Sequence, residues 1–153
     1  MCEYCGCRQL EPIAELMDEH DTLIEIAGDL RRAILEQDAA RALTKRDELV
    51  SLLGKHTRVE EAGIFTALKD QGDFAETVEV LEGEHVSLDV AVAALDLDTP
   101  GVLGVLDAFV ADLEEHIDKE NNGIFPVAVV TLGATGWDVV DRAREAAGAH
   151  VHA

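Results

Sequence analysis

The chain has 153 residues, a length that suits one compact domain whose core needs no disulfides to hold it. Twelve basic against thirty-two acidic side chains leave a net charge of −20, which repels phosphate backbones and anionic lipid and so argues against nucleic-acid and membrane partners. No apolar run approaches the ~18 residues of a membrane span and no apolar signal segment opens the chain; with three cysteines, an odd number, the expected location is cytoplasmic.

In chain order, a Cys-rich tail over 1–10 comes first. Apolar residues then recur at helical spacing from Ile13 through Leu16, Met17, Leu23, Ile24, Ala27, Leu30 and Ile34, as far as a break at Gln37–Asp38. A second stripe runs Leu49, Leu52, Leu53, Val59, Ile64, Ala67 and Leu68, and ends at "DQGDF" (70–74). A third runs Val78, Leu81, Leu88, Val92 and Leu95 to "DLDTPG" (96–101), where Thr99 is the expected cap of the next helix and Pro100 its first residue. The fourth stripe, from Leu103 through Leu106, Val110, Leu113, Ile117 and Ile124 to Val127, ends at "TLGATG" (131–136), and "WDVVDRAREAA" (137–147) predicts a short fifth helix. The expected fold is all-α: an up-down-up-down four-helix bundle over 12–132 with a short fifth C-terminal helix, in a single domain covering 1–153.

Each long stripe is interrupted near its middle by a histidine on the apolar face: His20, His56, His85 and His116. Glu60 and Glu120 follow two of them by four residues, one helical turn, and so share their inward face. The pattern is duplicated. "HTRVEEAGIF" (56–65) and "HIDKENNGIF" (116–125) both place His, Glu, Ile and Phe at offsets of zero, four, eight and nine, while "DEHDTL" (18–23) is matched by "GEHVSL" (83–88). A single histidine on an apolar stripe is more often a core residue than a ligand, but four at matched positions, two with an inward glutamate, point to metal. Burying two carboxylates and four imidazoles uncompensated would cost several kcal/mol each, and two metals bridged by two glutamates remove that cost. Imidazole with carboxylate suits iron, manganese or zinc, and iron is the redox-active choice. A ferritin-like site needs Glu-x-x-His on two helices, and only Glu82–His85 fits. Glu61, Glu84, Glu114 and Glu115 read as solvated helix-face charges, Phe65 and Phe125 as packing that keeps the centre dry, and Pro126 as a kink just past it.

These segments resemble the hemerythrin-like proteins, or HHE cation-binding domains, over about residues 12 to 132. The resemblance implies a non-haem di-iron centre with His20, His56, His85 and His116 as terminal ligands and Glu60 and Glu120 bridging. Oxygen-carrying hemerythrins have a fifth histidine one turn before the lone histidine of the third helix; here that position holds Leu81, and Asp89 would need a rotated helix to replace it. One iron is then short of a ligand, leaving a position for water, peroxide or nitric oxide. The expected function is binding of O2, nitric oxide or peroxide, in sensing, storage or detoxification, with a redox partner the sequence does not name. The alternatives are a peroxide-consuming, catalase- or peroxidase-like enzyme, and an iron donor for iron–sulfur-cluster repair.

Cys2, Cys5 and Cys7, with His150 or His152, make a second candidate set, suited to one tetrahedral zinc ion if the two ends of the chain meet. The alternative is a tail of reactive thiols or a redox cysteine pair.

Overall fold

The structure is a computed structural model that describes residues 10–148. Helix α1 (Glu11–Leu35) starts with Pro12 in its first turn, where a missing N–H costs nothing. It ends in a left-handed turn at Gln37 (φ 58°), with the N–H groups of Gln37 and Asp38 donating to the carbonyls of Ile34 and Ala33. Asp38 then caps α2 (Ala39–Glu60) by accepting the Arg41 N–H at 3.2 Å. Helix α2 runs on through a wide π turn, Glu61–Phe65, into α3 (Thr66–Gln71), which stops at left-handed Gly72 (φ 88°).

Helix α4 (Ala75–Ala93) leads by a loop to α5 (Val102–Lys119), which continues through a second π turn, Glu120–Ile124, into α6 (Phe125–Thr131). A final helix, α7, spans Ala134–Ala146, so it starts three residues ahead of the expected Trp137. Among the described residues there is no strand.

The expected cap at Thr99 is not there. Asp96 accepts the Asp98 N–H at 3.0 Å and its carbonyl accepts the Thr99 N–H at 3.1 Å, so an Asx turn takes up that segment and α5 begins later, at Val102 with Gly101 at the capping position.

The two π turns have a common purpose. In a regular helix the residue five beyond Glu60 lies about 140° round the axis. The wide turn brings it back, so that Glu60, Ile64, Phe65 and Leu68 are all buried on one side, and Glu120, Ile124, Phe125 and Ala128 repeat the arrangement. Thr66 fastens the first wide turn, its hydroxyl donating to the Glu61 carbonyl at 2.6 Å. Pro126 stands in the first turn of α6, just past the second wide turn, where its missing N–H is tolerated.

Helix α1 packs on α2 and α5, and α4 packs on the same two, which closes the four long helices into a helical bundle. Helix α7 lies over the first π turn and α3. There a Cβ on Gly63 would stand 3.4 Å from Ala143, and buried Arg144 holds the Glu15 carboxylate of α1 through Nη2 at 2.7 Å and Nε at 3.1 Å. The apolar core has two parts. One gathers Ile13, Met17, Phe65, Leu68 and Phe125, the other Leu23, Leu30, Leu49, Leu106 and Leu113. On each long helix the histidine falls between the residues of one part and those of the other, so a polar layer crosses the bundle.

Candidate metal centre

The four histidines and two glutamates come together in that layer. All six are buried, and Glu60 and Glu120 expose nothing to solvent. Their donor atoms form two groups, each within a span of 4.8 Å: His20, His56, Glu60 and Glu120 in one, His85, His116, Glu60 and Glu120 in the other. Both glutamates belong to both groups. Imidazole Nε2 atoms face carboxylate oxygens at 2.9 Å (His20 to Glu120), 3.2 Å (His56 and His85 to Glu60), 3.2 Å (His116 to Glu120) and 3.4 Å (His85 to Glu120).

Short as these distances are, none has the geometry of a hydrogen bond. Nine buried side-chain nitrogen and oxygen atoms lack a hydrogen-bond partner among the described residues, and eight of them are the four Nε2 atoms and the four carboxylate oxygens of this cluster. Buried polar groups are nearly always partnered, and each one left without a partner costs on the order of 1–3 kcal/mol. The eight face one another across one layer, an arrangement that a cation shared between them relieves. The residues therefore fit a metal site of mixed imidazole and carboxylate donors.

The opposite nitrogens are all engaged. Nδ1 of His56 donates to Glu19, of His85 to Glu61, of His116 to Glu84 and of His20 to Asn121, each at 2.8 Å. These bonds fix the tautomer that leaves Nε2 free for the cluster. Each partner reaches across to a neighbouring helix of the bundle: Glu19 from α1 to α2, Glu61 from the first π turn to α4, Glu84 from α4 to α5 and Asn121 from the second π turn to α1. Phe65 stacks on His85 with centroids 5.3 Å apart, and Phe125 stacks on His20 at 5.7 Å. Both rings are fully buried, so they close the layer to water on one side as expected.

Without metal the cluster balances its own charge. Burial alone would lower the imidazole pKa values, but the close approach and negative charge of the Glu60 and Glu120 carboxylates outweigh it. His20 is raised to about 9, His56 to about 10 with help from Glu19, and His85 to about 11; His116 is raised as well. Burial in turn would raise Glu60, but the charge of His56 and the close approach of the His20, His56 and His85 imidazoles hold it well below the ordinary carboxylate value, and Glu120 is lowered too.

A small cleft of about 160 Å³ lies over His116, walled by Glu84, Ser87, Leu88, Asp112 and Lys119. Leu81 is buried among apolar neighbours and Asp89 is exposed, so neither supplies a fifth nitrogen or an extra oxygen to the cluster.

Glu114 and Glu115 are exposed, as the sequence suggests, but Glu61 and Glu84 are not mere solvated charges: each is half-buried and holds a histidine. Glu19, though part of the matched Glu-His pair, and Asn121 have no role assigned from the sequence. The signal for all four lies in the duplication, since Glu19 and Glu84 directly precede the lone histidines, while Glu61 and Asn121 directly follow the inward glutamates. Cys2, Cys5, Cys7, His150 and His152 lie outside the described residues. No helix among the described residues is long and apolar enough to cross a membrane.

Comparison with curated proteins and with solved structures gives no significant match. The sequence does match the family model of the hemerythrin HHE cation-binding domain over residues 11–128, most of the chain and all six clustered residues, and the chain belongs to that family.

Proposed function

We propose that the chain is a non-haem di-iron protein that binds O2, nitric oxide or peroxide, for sensing, storage or detoxification. In this reading His20 and His56 hold one iron and His85 and His116 the other. Glu60 and Glu120 bridge them, within a four-helix bundle of up-down-up-down order. The observation that carries it is the set of eight orphaned donor atoms, all buried and all aimed into one layer. Bound iron would supply the electrons and the Lewis acidity that such ligands require.

The chain's own residues do the rest. Four protein donors to each ion, with Leu81 where another histidine would stand, leave positions for a small molecule. Glu19, Glu61, Glu84 and Asn121 hold the imidazoles in place, and Phe65 and Phe125 keep water off one side. The cleft over His116 marks the side from which a small molecule would approach. A reducing, cytosolic setting with an electron donor belongs to the same reading, since an odd number of cysteines and a reducible centre both suit it.

The test begins with elemental analysis of the purified chain beside Glu60→Ala and His116→Ala. Two irons per chain, lost in either variant, support the centre; iron near zero with no metal recovered on reconstitution would make the repeated motif a packing device. The reduced protein is then exposed to gas and peroxide. A stable, reversible spectrum on exposure to O2 or nitric oxide supports binding. Rapid peroxide loss with release of O2 would make it an enzyme instead, and iron transfer to an apo-acceptor would make it a donor.

A further inference from the structure

The two halves of the cluster share one plan of stacking and support. Phe65 on His85 answers Phe125 on His20, and Glu84 on His116 answers Glu19 on His56. The remaining pair breaks the symmetry. Glu61 accepts the Nδ1 hydrogen of His85 with a carboxylate, whereas Asn121 accepts that of His20 with a neutral amide oxygen. The His85–His116 half is thus backed by two carboxylates, the His20–His56 half by one carboxylate and one amide.

We infer that the two metal positions are unequal, that the position of His85 and His116 binds the first metal ion, and that Glu61 against Asn121 sets this order. A carboxylate behind an imidazole withdraws the Nδ1 proton further and makes Nε2 a stronger donor than an amide does. Removing such a partner typically weakens metal binding about 10- to 100-fold, so the single exchange between the halves gives a difference of about tenfold. Lys119 pairs with Glu84 and draws off part of its charge, so the contrast at Glu84 against Glu19 works mildly the other way. It does not cancel the first, because Glu84 remains charged beside a cation, whereas Asn121 has no charge at all. Glu61 and Asn121 are positioning residues here: neither contributes an atom to the two donor groups.

This inference rests on the di-metal reading above, and the experiment separates the two. The full-length, metal-stripped chain is titrated with Co2+ alone in the presence of a competing chelator, followed by absorption and calorimetry. The expected result is two steps about tenfold or more apart, with the tighter one lost in His116→Ala and kept in His20→Ala. Glu61→Gln, which keeps the length and shape of the side chain, weakens the tight step about tenfold. Asn121→Asp strengthens the weak step by a similar factor, and the double variant reverses the order. Equal steps, a tight step that survives His116→Ala, or binding indifferent to both exchanges would overturn the inference and leave the metal centre standing. A chain that takes up no Co2+ would sink both. Unfolding curves of the two exchange variants guard against a collapsed fold, and the sign of the Asn121→Asp effect is one that damage to the structure cannot produce.

Discussion

The ring of Phe65 lies parallel to the imidazole of His85, the planes within 10° and the centroids 5.3 Å apart, with the ring fully buried. It fixes one face of a donor histidine and fills the core beside it. Phe65→Ala leaves a cavity in the buried core beside His85. The expected loss is ~3–5 kcal/mol of unfolding free energy, against about 1 kcal/mol for Phe65→Leu. Urea unfolding of the metal-free variants measures it. A loss under about 1 kcal/mol for the alanine variant would mean that the ring packs against nothing.

Arg144 fastens the last helix. It is itself buried, but its partners Glu15 and Glu11 are 39 % and 55 % exposed, so water screens much of the attraction. Removing the guanidinium strands no buried carboxylate, and the cost of Arg144→Ala falls to ~1–2 kcal/mol, well below that of breaking a fully buried pair. The loss should be localised. Amide hydrogen exchange quickens across α7 and the neighbouring π turn at 61–65, while α4 and α5 keep their protection. Uniform quickening would show that α7 is integral to the whole core.

Gln37 has a backbone conformation (φ 58°) that glycine adopts freely and a residue with a side chain does not. The turn is kept because Asp38 must cap α2 immediately afterwards. Gln37→Gly relieves the strain with no side-chain bond of Gln37 to lose among those described, and should stabilise the chain by ~0.5–1 kcal/mol in thermal or urea unfolding. A destabilisation would show that greater freedom of the unfolded chain outweighs the strain.

The four histidines and Glu60 and Glu120 were legible because helical periodicity and internal duplication agree: each lies on an apolar stripe, and each has a counterpart in the other half. Their supporting residues were not legible by periodicity. Glu19, Glu61, Glu84 and Asn121 sit one position from an inward residue, about 100° round the helix, where a single helix predicts solvent. They are drawn in by a histidine on the next helix, which no one-helix pattern contains. The π turns hide for a related reason. Adjacent Ile64 and Phe65, and again Ile124 and Phe125, are both buried, yet a regular helix favours only the first; this small conflict, repeated in both halves, is their trace in the sequence. Thr99 failed as a cap because Asp96, three residues earlier, claimed the same backbone for a turn of its own.

The cluster's charge gives the last prediction, for the metal-free chain and for metal uptake. In the folded state His20, His56 and His85 have pKa values of about 9, 10 and 11, against 6.5 for a free imidazole. Raised folded values mean that their stabilising contribution is complete below about pH 6.5 and disappears as pH climbs through about 9 to 11. Glu60 and Glu120 act in the other direction: held below the ordinary value of 4.5, they stabilise above it and lose that contribution as pH falls through their lowered values. The metal-free chain should therefore be most stable in mildly acidic solution, and urea unfolding across pH checks this. A metal ion competes for the same Nε2 atoms and must displace their protons. At pH 7, Co2+ binding should release more than one proton per ion, seen by calorimetry in buffers of different ionisation enthalpy, and affinity should rise with pH by about tenfold per unit for each proton displaced. Uptake without proton release would mean that the imidazoles are neutral before the metal arrives, and that the carboxylates between them do not hold the charge the geometry gives them.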